Sequence, residues 1–329
     1  MNNQLDFAAL SSLLPALAAA APQPPMPLAP LVSRPPSTAV RIPGVAPNCY
    51  GLEITDDEYH KHLAGASSSA LKRLLRSGAH YQAYLKEPDK DSADRMFGRA
   101  VHALLLESAT FQAHFAVWTE GRRAGGLYED FCRENPGKTV LREDEYQRAL
   151  EAALALRNCP DFPIGVWLDG VAATATHAAV PAARCEFTIV WVDEETGIVC
   201  KARIDAHNAV PQAVAIDAKT TDDARKFSFR RQFRKQDYDL QAAHYRAALK
   251  AFYGTDFTFL FAAVESKAPH ATRVFGLSEA ILEDGEAKRR LCLSRLKACM
   301  DSGSWPAYQP AGIQTLDVEF MGRFDPNTA

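Results

Sequence analysis

Four side chains in one stretch of the 329-residue chain could do chemistry together: Glu186, Asp205, Asp217 and Lys219. The last two lie in "VAIDAKTT", residues 214–221, an apolar run that ends in an acid, a small residue and an ammonium. Successive side chains of a β-strand point to opposite faces, so Asp217 and Lys219, two residues apart, share one face. Asp205 ends the preceding apolar run, in "ARIDA", and Glu186 opens the run before it. If these runs are neighbouring strands, three carboxylates and one ammonium converge at one sheet edge. Carboxylates in a desolvated site repel one another unless a cation neutralises them. Hard oxygen donors with few imidazole or thiol partners suit Mg²⁺, with Mn²⁺ as a substitute. A neighbouring lysine can orient or deprotonate a water, or stabilise charge developing on a phosphorane. The set suits metal-dependent hydrolysis of a phosphodiester. Taken singly, an aspartate at a strand end is a common turn or cap residue. The reading rests on the combination of an acid-ended strand followed by an Asp-x-Lys strand.

The elements that must position these residues are legible around them. "RCEFTIVWVD", "GIVCKARIDAHN" and "AVAIDAKT" read as strands, rich in β-branched and aromatic residues. Upstream, "ASSSALKRLLRSGAHYQAYL" reads as a helix capped by its serine cluster, with Leu71, Leu74 and Leu75 at helical spacing. "SADRMFGRAVHALLLES" is a second helix, buried through Phe97, Val101, Leu104 and Leu105. Residues 119–138, rich in glycine and charge, are expected to form a loop or irregular insertion. "REDEYQRALEAALALRN" is a third helix with an acidic first turn. Downstream, "DYDLQAAHYRAALKAFYG" is a long helix that Gly254 is placed to end. Strands in "DFTFLFAAVES" and "TRVFGL" and a helix over 278–303 follow. This order gives an α/β domain with a central mixed sheet flanked by helices.

Composition sets the limits. The net charge of -3 disfavours a purely electrostatic nucleic-acid binder. Seven scattered cysteines without a CxxC pair fit reduced thiols, not a disulfide framework or a zinc ribbon. Ten of the 20 prolines fall in residues 1–48, which read as a flexible Pro/Ala tail preceding a globular domain over 49–329. No apolar run approaches the roughly 20 residues needed to cross a bilayer, so no membrane association is expected. The opening "MNNQLDFAALSSLLPALAAAAP" lacks a basic n-region and carries Asp6, so it is not read as a signal peptide. A cytoplasmic location is the expectation.

"ARIDA" followed by "IDAKT", with eleven residues between the two aspartates, resembles the core motif of the PD-(D/E)XK nuclease superfamily, with Ile204 in place of the proline. "FGRAVHALLLES" resembles the GxxxH motif of the RecB-like branch through Gly98 and His102, and "LQAAHYRAAL" resembles its QxxxY motif through Gln241 and Tyr245. Over roughly residues 65–265 the arrangement looks closest to the RecE-type phage and prophage exonucleases. The resemblance implies a restriction-endonuclease-like core. Asp205 and Asp217, the carbonyl of Ala218, Glu186 and His102 would hold the metal. Lys219 would position the attacking water, and Gln241 and Tyr245 would organise the catalytic edge. It also implies 5′ to 3′ digestion of double-stranded DNA ends, 3′ overhangs for recombination and repair with a RecT-like annealing protein, and a ring-shaped homo-oligomer. Two other readings use the same residues: a nuclease of the CRISPR-adaptation type, and a non-catalytic DNA-binding or assembly protein.

Between Lys219 and Lys235 stand seven Lys or Arg against two Asp. Arg225, Lys226, Arg230, Arg231, Arg234 and Lys235 alternate with Phe227, Phe229 and Phe233. Arginines grip phosphates and phenylalanines stack on bases, so this segment is a candidate DNA grip. Lys72, Arg73 and Arg76 form a second candidate. No base-reading motif accompanies either, so sequence-independent binding is expected.

Overall fold

The three strands that carry the acids lie side by side at the centre of a six-stranded sheet. The computed structural model describes residues 49–87, 92–174, 179–210 and 212–308. The proposed tail over 1–48 lies outside the described residues. In chain order the elements are β1 (Tyr50–Leu52), α1 (Asp56–Lys61), α2 (Ser68–Leu74), α3 (Gly78–Lys86), α4 (Ala93–Leu106), α5 (Phe111–His114), β2 (Phe115–Trp118), α6 (Gly126–Glu134), β3 (Thr139–Arg142), α7 (Glu143–Arg157) and α8 (Ile164–Asp169). The second half comprises β4 (Arg184–Val192), β5 (Val199–Asn208), β6 (Val214–Thr221), α9 (Lys226–Lys235), α10 (Tyr238–Tyr253), β7 (Thr258–Glu265), β8 (Thr272–Gly276) and α11 (Glu279–Ser302).

The main sheet runs β1-β4-β5-β6-β7-β8. Only β6 and β7 pair in parallel; the other neighbours are antiparallel. That parallel pair requires a crossover, supplied by α9 and α10. Helices cover both faces, so this is a mixed α/β fold with a central sheet flanked by helices. On one face α2, α10 and α11 bury Leu71, Leu74, Leu240, Leu249, Phe252, Leu293 and Leu296 against Phe187, Ile204 and Phe261. On the other, α4, α7 and α8 bury Phe97, Val101, Leu156 and Trp167 against Ala206, Ile216 and Leu260. Among the described residues, no helix is long and apolar enough to cross a membrane.

Local signals set the helix ends, and they divide the single helix expected over 66–85: α2 stops at Leu74, and Ser77, whose side chain accepts from the His80 amide, starts α3. The Ser67 side chain accepts from the Ala70 amide and starts α2; Ser92 does the same for α4 through Arg95. Gly254 takes the left-handed conformation, φ 71°, and ends α10. Gly285 serves packing: a Cβ there would lie 2.3 Å from the Asp239 carbonyl oxygen, so α11 could not approach α10 as it does. Residues 119–138 differ from expectation. They contain the nine-residue helix α6, within a small unit whose strands β2 and β3 pair in parallel. Its Tyr128 and Phe131 pack on Trp118 with ring centroids 5.4 and 5.2 Å apart.

Candidate active site

Asp205 sits at a gap in the ladders on both sides of β5. Between β4 and β5 the register pairs Cys185 with Ala206 and Phe187 with Ile204, and the intervening rung, Glu186 opposite Asp205, is missing. Between β5 and β6 the pairing stops at Ala206 and Ile216, and the next position in register is Asp205 opposite Asp217. The sheet therefore splays where the three acids meet. Glu186 adopts φ 50°, the left-handed region that a non-glycine residue rarely enters. The pleat changes phase at this rung. Phe187 and Ile204 pack in one core, whereas Cys185 and Ala206, which simple alternation would put on the same face, pack in the other.

His102, from α4, completes a group with Glu186 and Asp205 whose ligand atoms all lie within 4.8 Å of one another. Its Nε2 lies 2.9 Å from the carbonyl oxygen of Ala218. A carbonyl can only accept, so Nε2 carries the proton and Nδ1 is left to face Asp205 Oδ2 at 3.5 Å and Glu186 Oε1 at 4.0 Å. Asp205 Oδ2 also accepts from the Ala218 amide at 2.9 Å. Arg203 donates from Nε to Glu186 and from Nη1 to the Ile54 carbonyl, and so steadies the strained glutamate. Burial, then the charges of Asp217 and Glu186, push the Asp205 carboxyl up to about 7, against the pull of His102 and Lys219. An imidazole nitrogen and two carboxylates, one destabilised as an anion by its neighbours, fit a hard divalent cation.

A second group lies toward α10. The Asp217 carboxylate, 1% exposed, meets the Lys219 ammonium in an ion pair and accepts from Gln241 Nε2 at 2.7 Å. Oδ1 thus has a hydrogen-bond partner, whereas the buried Oδ2 faces Lys219 only as an ion pair and accepts no hydrogen bond; Asp217 stands beside the His102–Glu186–Asp205 group and outside it. Burial alone would lower the Lys219 pKa, but the facing Asp217 carboxylate outweighs it and holds the ammonium above its ordinary value. Lys219 Nζ lies 5.0 Å from the Tyr238 ring centroid. Tyr245 is one turn beyond Gln241 on α10. It bonds Ser68 and packs edge-on against Phe259, so it supports the wall that α2 and α10 form. Gly98, one turn before His102, brings α4 near β6; a Cβ there would reach Thr220 Oγ1 at 3.4 Å, an ordinary contact.

The basic candidates separate. On α2, Lys72 turns inward and donates to Gln241 Oε1 at 3.3 Å, while Arg73 stacks over Tyr84 and Arg76 reaches the Tyr308 hydroxyl. On α9, Lys226, Arg230, Arg231, Arg234 and Lys235 are exposed, and Arg225, also exposed, is held by Asp223. Phe229 and Phe233 are buried in the core, so of the three phenylalanines only Phe227, 63% exposed, is available to a ligand. α9 is tied to the site by Gln232 Nε2, which donates to the carbonyl of Thr220 next to Lys219. Sequence reasoning missed Arg203 and Tyr238. Arg203 stands two residues before Asp205 on the same strand, a spacing that could have flagged it; Tyr238 carries no comparable signal.

A family profile described as a PDDEXK-like domain of unknown function (DUF3799) matches residues 67–313. Among solved structures, one of a presumptive exonuclease from Eubacterium rectale superposes with a TM-score of 0.53 at 13% identity, covering 82% of this chain and 98% of that one. At that identity the likeness concerns the fold. A phage related exonuclease from Haemophilus somnus 129PT aligns over 73% of this chain and 97% of that one, at 12% identity and a TM-score of 0.30. No curated protein matches the sequence.

Proposed function

Because the chain belongs to the family of PDDEXK-like domains DUF3799, within the PD-(D/E)XK nuclease superfamily, we propose that it is a divalent-metal-dependent nuclease acting on double-stranded DNA ends. The observation that carries this reading is the grouping of His102, Glu186 and Asp205 beside the Asp217–Lys219 pair. His102 Nδ1, Glu186 and Asp205 would hold Mg²⁺ or Mn²⁺, with Asp217 and the Ala218 carbonyl bordering them. A bound divalent ion supplies charge neutralisation at the scissile phosphate.

The chain's own residues do the rest. Lys219 is held protonated, so it acts as a fixed cation: it hydrogen-bonds the phosphate as negative charge grows on its oxygens. It is not a base for the attacking water. Gln241 orients Asp217, and Asp217 in turn fixes Lys219. Arg203 keeps Glu186 turned toward the group. The arginines of α9 lie on the outer face of a helix anchored beside Lys219 and would grip the duplex backbone.

The finer reading follows the RecE-type exonucleases. It comprises digestion from the 5′ end of linear duplex, 3′ overhangs handed to a RecT-like annealing protein in recombination or repair, and a ring-shaped homo-oligomer in the cytoplasm that encloses DNA. The test is an end-labelled linear duplex beside a covalently closed circle, with Mg²⁺ and with chelator. Loss of the 5′ label from the linear form, with the circle spared, is the expected result. Rapid cutting of the closed circle would overturn the exonuclease reading, and loss of the 3′ label first would reverse the polarity.

A further inference from the structure

Two ammonium groups converge on one aromatic ring at the floor of the site. Lys72 Nζ, from α2, lies 5.3 Å from the Tyr238 centroid, and Lys219 Nζ, from β6, lies 5.0 Å from it. We propose that Lys72 and Lys219 together form a phosphate subsite, in which Lys72 binds a non-bridging oxygen of a DNA phosphate beside the one being cut. This rests on the nuclease reading above and adds a substrate contact to it.

The position of Lys72 follows from its helix. Leu71 and Leu74 are fully buried and fix α2 on the core, which leaves Lys72 on the flank that looks toward α10. Its neighbours Arg73 and Arg76 are occupied by Tyr84 and Tyr308, so Lys72 alone of the three reaches the centre. There its hydrogen-bonding partner is Gln241 Oε1, a neutral acceptor at 3.3 Å, although an ammonium has three protons to donate. The carboxylate nearest to it in this network, Asp217, is already engaged by Lys219 and by the other end of the same Gln241 amide. Asp237 and Asp239 also act on Lys72 but are held by Lys288, which leaves Asp217 to be shared by the two ammoniums in a poorly hydrated place. Like charges in such a place favour an added anion of opposite sign. The state of Lys72 agrees: burial, and then the charge of Lys219, bring it down to about 7. A phosphodiester oxygen would supply both the missing acceptor and the missing charge, through a bond of the charge-assisted kind.

Full-length Lys72→Met and Lys72→Arg, with Lys72→Gln as a second neutral variant, test this against linear duplex in Mg²⁺. Lys72→Met should raise KM about tenfold, the loss of one charge-assisted hydrogen bond, while kcat stays near that of the parent, and Lys72→Arg should recover KM. Inorganic phosphate, without DNA or metal, should raise the melting temperature of the parent protein and leave that of Lys72→Met and Lys72→Gln unmoved. A drop in kcat at constant KM would overturn the subsite and make Lys72 only a prop for Gln241. Equal stabilisation of all forms by phosphate would overturn it as well. A parent protein that cuts no DNA defeats the nuclease reading and not the subsite, because the phosphate shift is read without turnover.

Discussion

His102 turns its Nε2 onto the carbonyl oxygen of Ala218, 2.9 Å away, and thereby presents Nδ1 to Asp205 at 3.5 Å. The bond ties α4 to the strand that carries Asp217 and Lys219, and it selects the tautomer that can bind a metal. His102→Ala should therefore raise the Mg²⁺ or Mn²⁺ concentration for half-maximal cleavage by about 10- to 100-fold. Titration calorimetry with Mn²⁺ should give the same factor in affinity, and an unchanged Mn²⁺ affinity would remove His102 from the ligand set.

The Asp205 carboxyl rises from its ordinary 3.8 to about 7 through burial and the charges of Asp217 and Glu186. A group whose pKa is raised by folding stabilises the fold below its unfolded value, and that contribution is lost as pH climbs through the folded one. The metal-free protein should thus melt at falling temperature from about pH 4 to about pH 7, and Asp205→Asn should flatten that slope. Divalent ion competes with the same proton, so its affinity should rise over the same interval. Calorimetric melting at several pH values, with and without Mg²⁺, checks both slopes.

Asp217 and Lys219 form a nearly enclosed pair, with side chains 1% and 15% exposed. Removing one partner strands the other, so Asp217→Ala or Lys219→Ala alone should cost about 3 to 5 kcal/mol of stability as well as abolish cleavage. The double variant Asp217→Asn, Lys219→Met should melt closer to the parent while remaining inactive. Denaturant titration of the three variants separates stability from chemistry, and near-normal turnover in either single variant would move the catalytic centre elsewhere.

The outer face of α9 carries Arg230 and Arg231 around the exposed ring of Phe227, at 5.2 and 5.7 Å from its centroid. Arg230→Glu with Arg231→Glu should weaken duplex binding and reduce the slope of log affinity against log salt by about 2, one for each DNA phosphate no longer neutralised. Melting temperature should hardly move, because both side chains are exposed. Fluorescence anisotropy in Ca²⁺ at several salt concentrations gives the slope.

What the sequence exposes and what it hides divide along physical lines. Two-residue alternation places Asp217 and Lys219 on one face, and the ion pair bears that out. The helical spacing of Gly98 with His102, and of Gln241 with Tyr245, is likewise local and survives folding. Helix stops such as Gly254 depend on single residues and were legible. The phase change at Glu186 was not, because a glutamate at φ 50° carries no compositional mark and exists through the sheet and Arg203 around it. α6 escaped notice because Gly125 and Gly126 and a dense set of charges mask a short helix, though Tyr128 and Phe131 hold helical spacing. The burial of Phe229 and Phe233 follows from how α9 lies on the sheet, which no spacing within α9 reveals. The inward turn of Lys72 depends on α10, and its partner Gln241 is 169 residues away.

That distance along the chain has a consequence for the protein as it is made. His102 waits 116 residues for the carbonyl it bonds, and β6 lacks its parallel partner until the crossover through α9 and α10 has been laid down and β7 follows. Pairings closed over such spans form late, after the loop entropy between them has been overcome. A ribosome that has translated every acid of the site, through Asp217, still carries a polypeptide without the site itself. The proposed nuclease activity therefore requires β7 as well as the acids, so stalled or truncated products ending before β7 should cut no DNA.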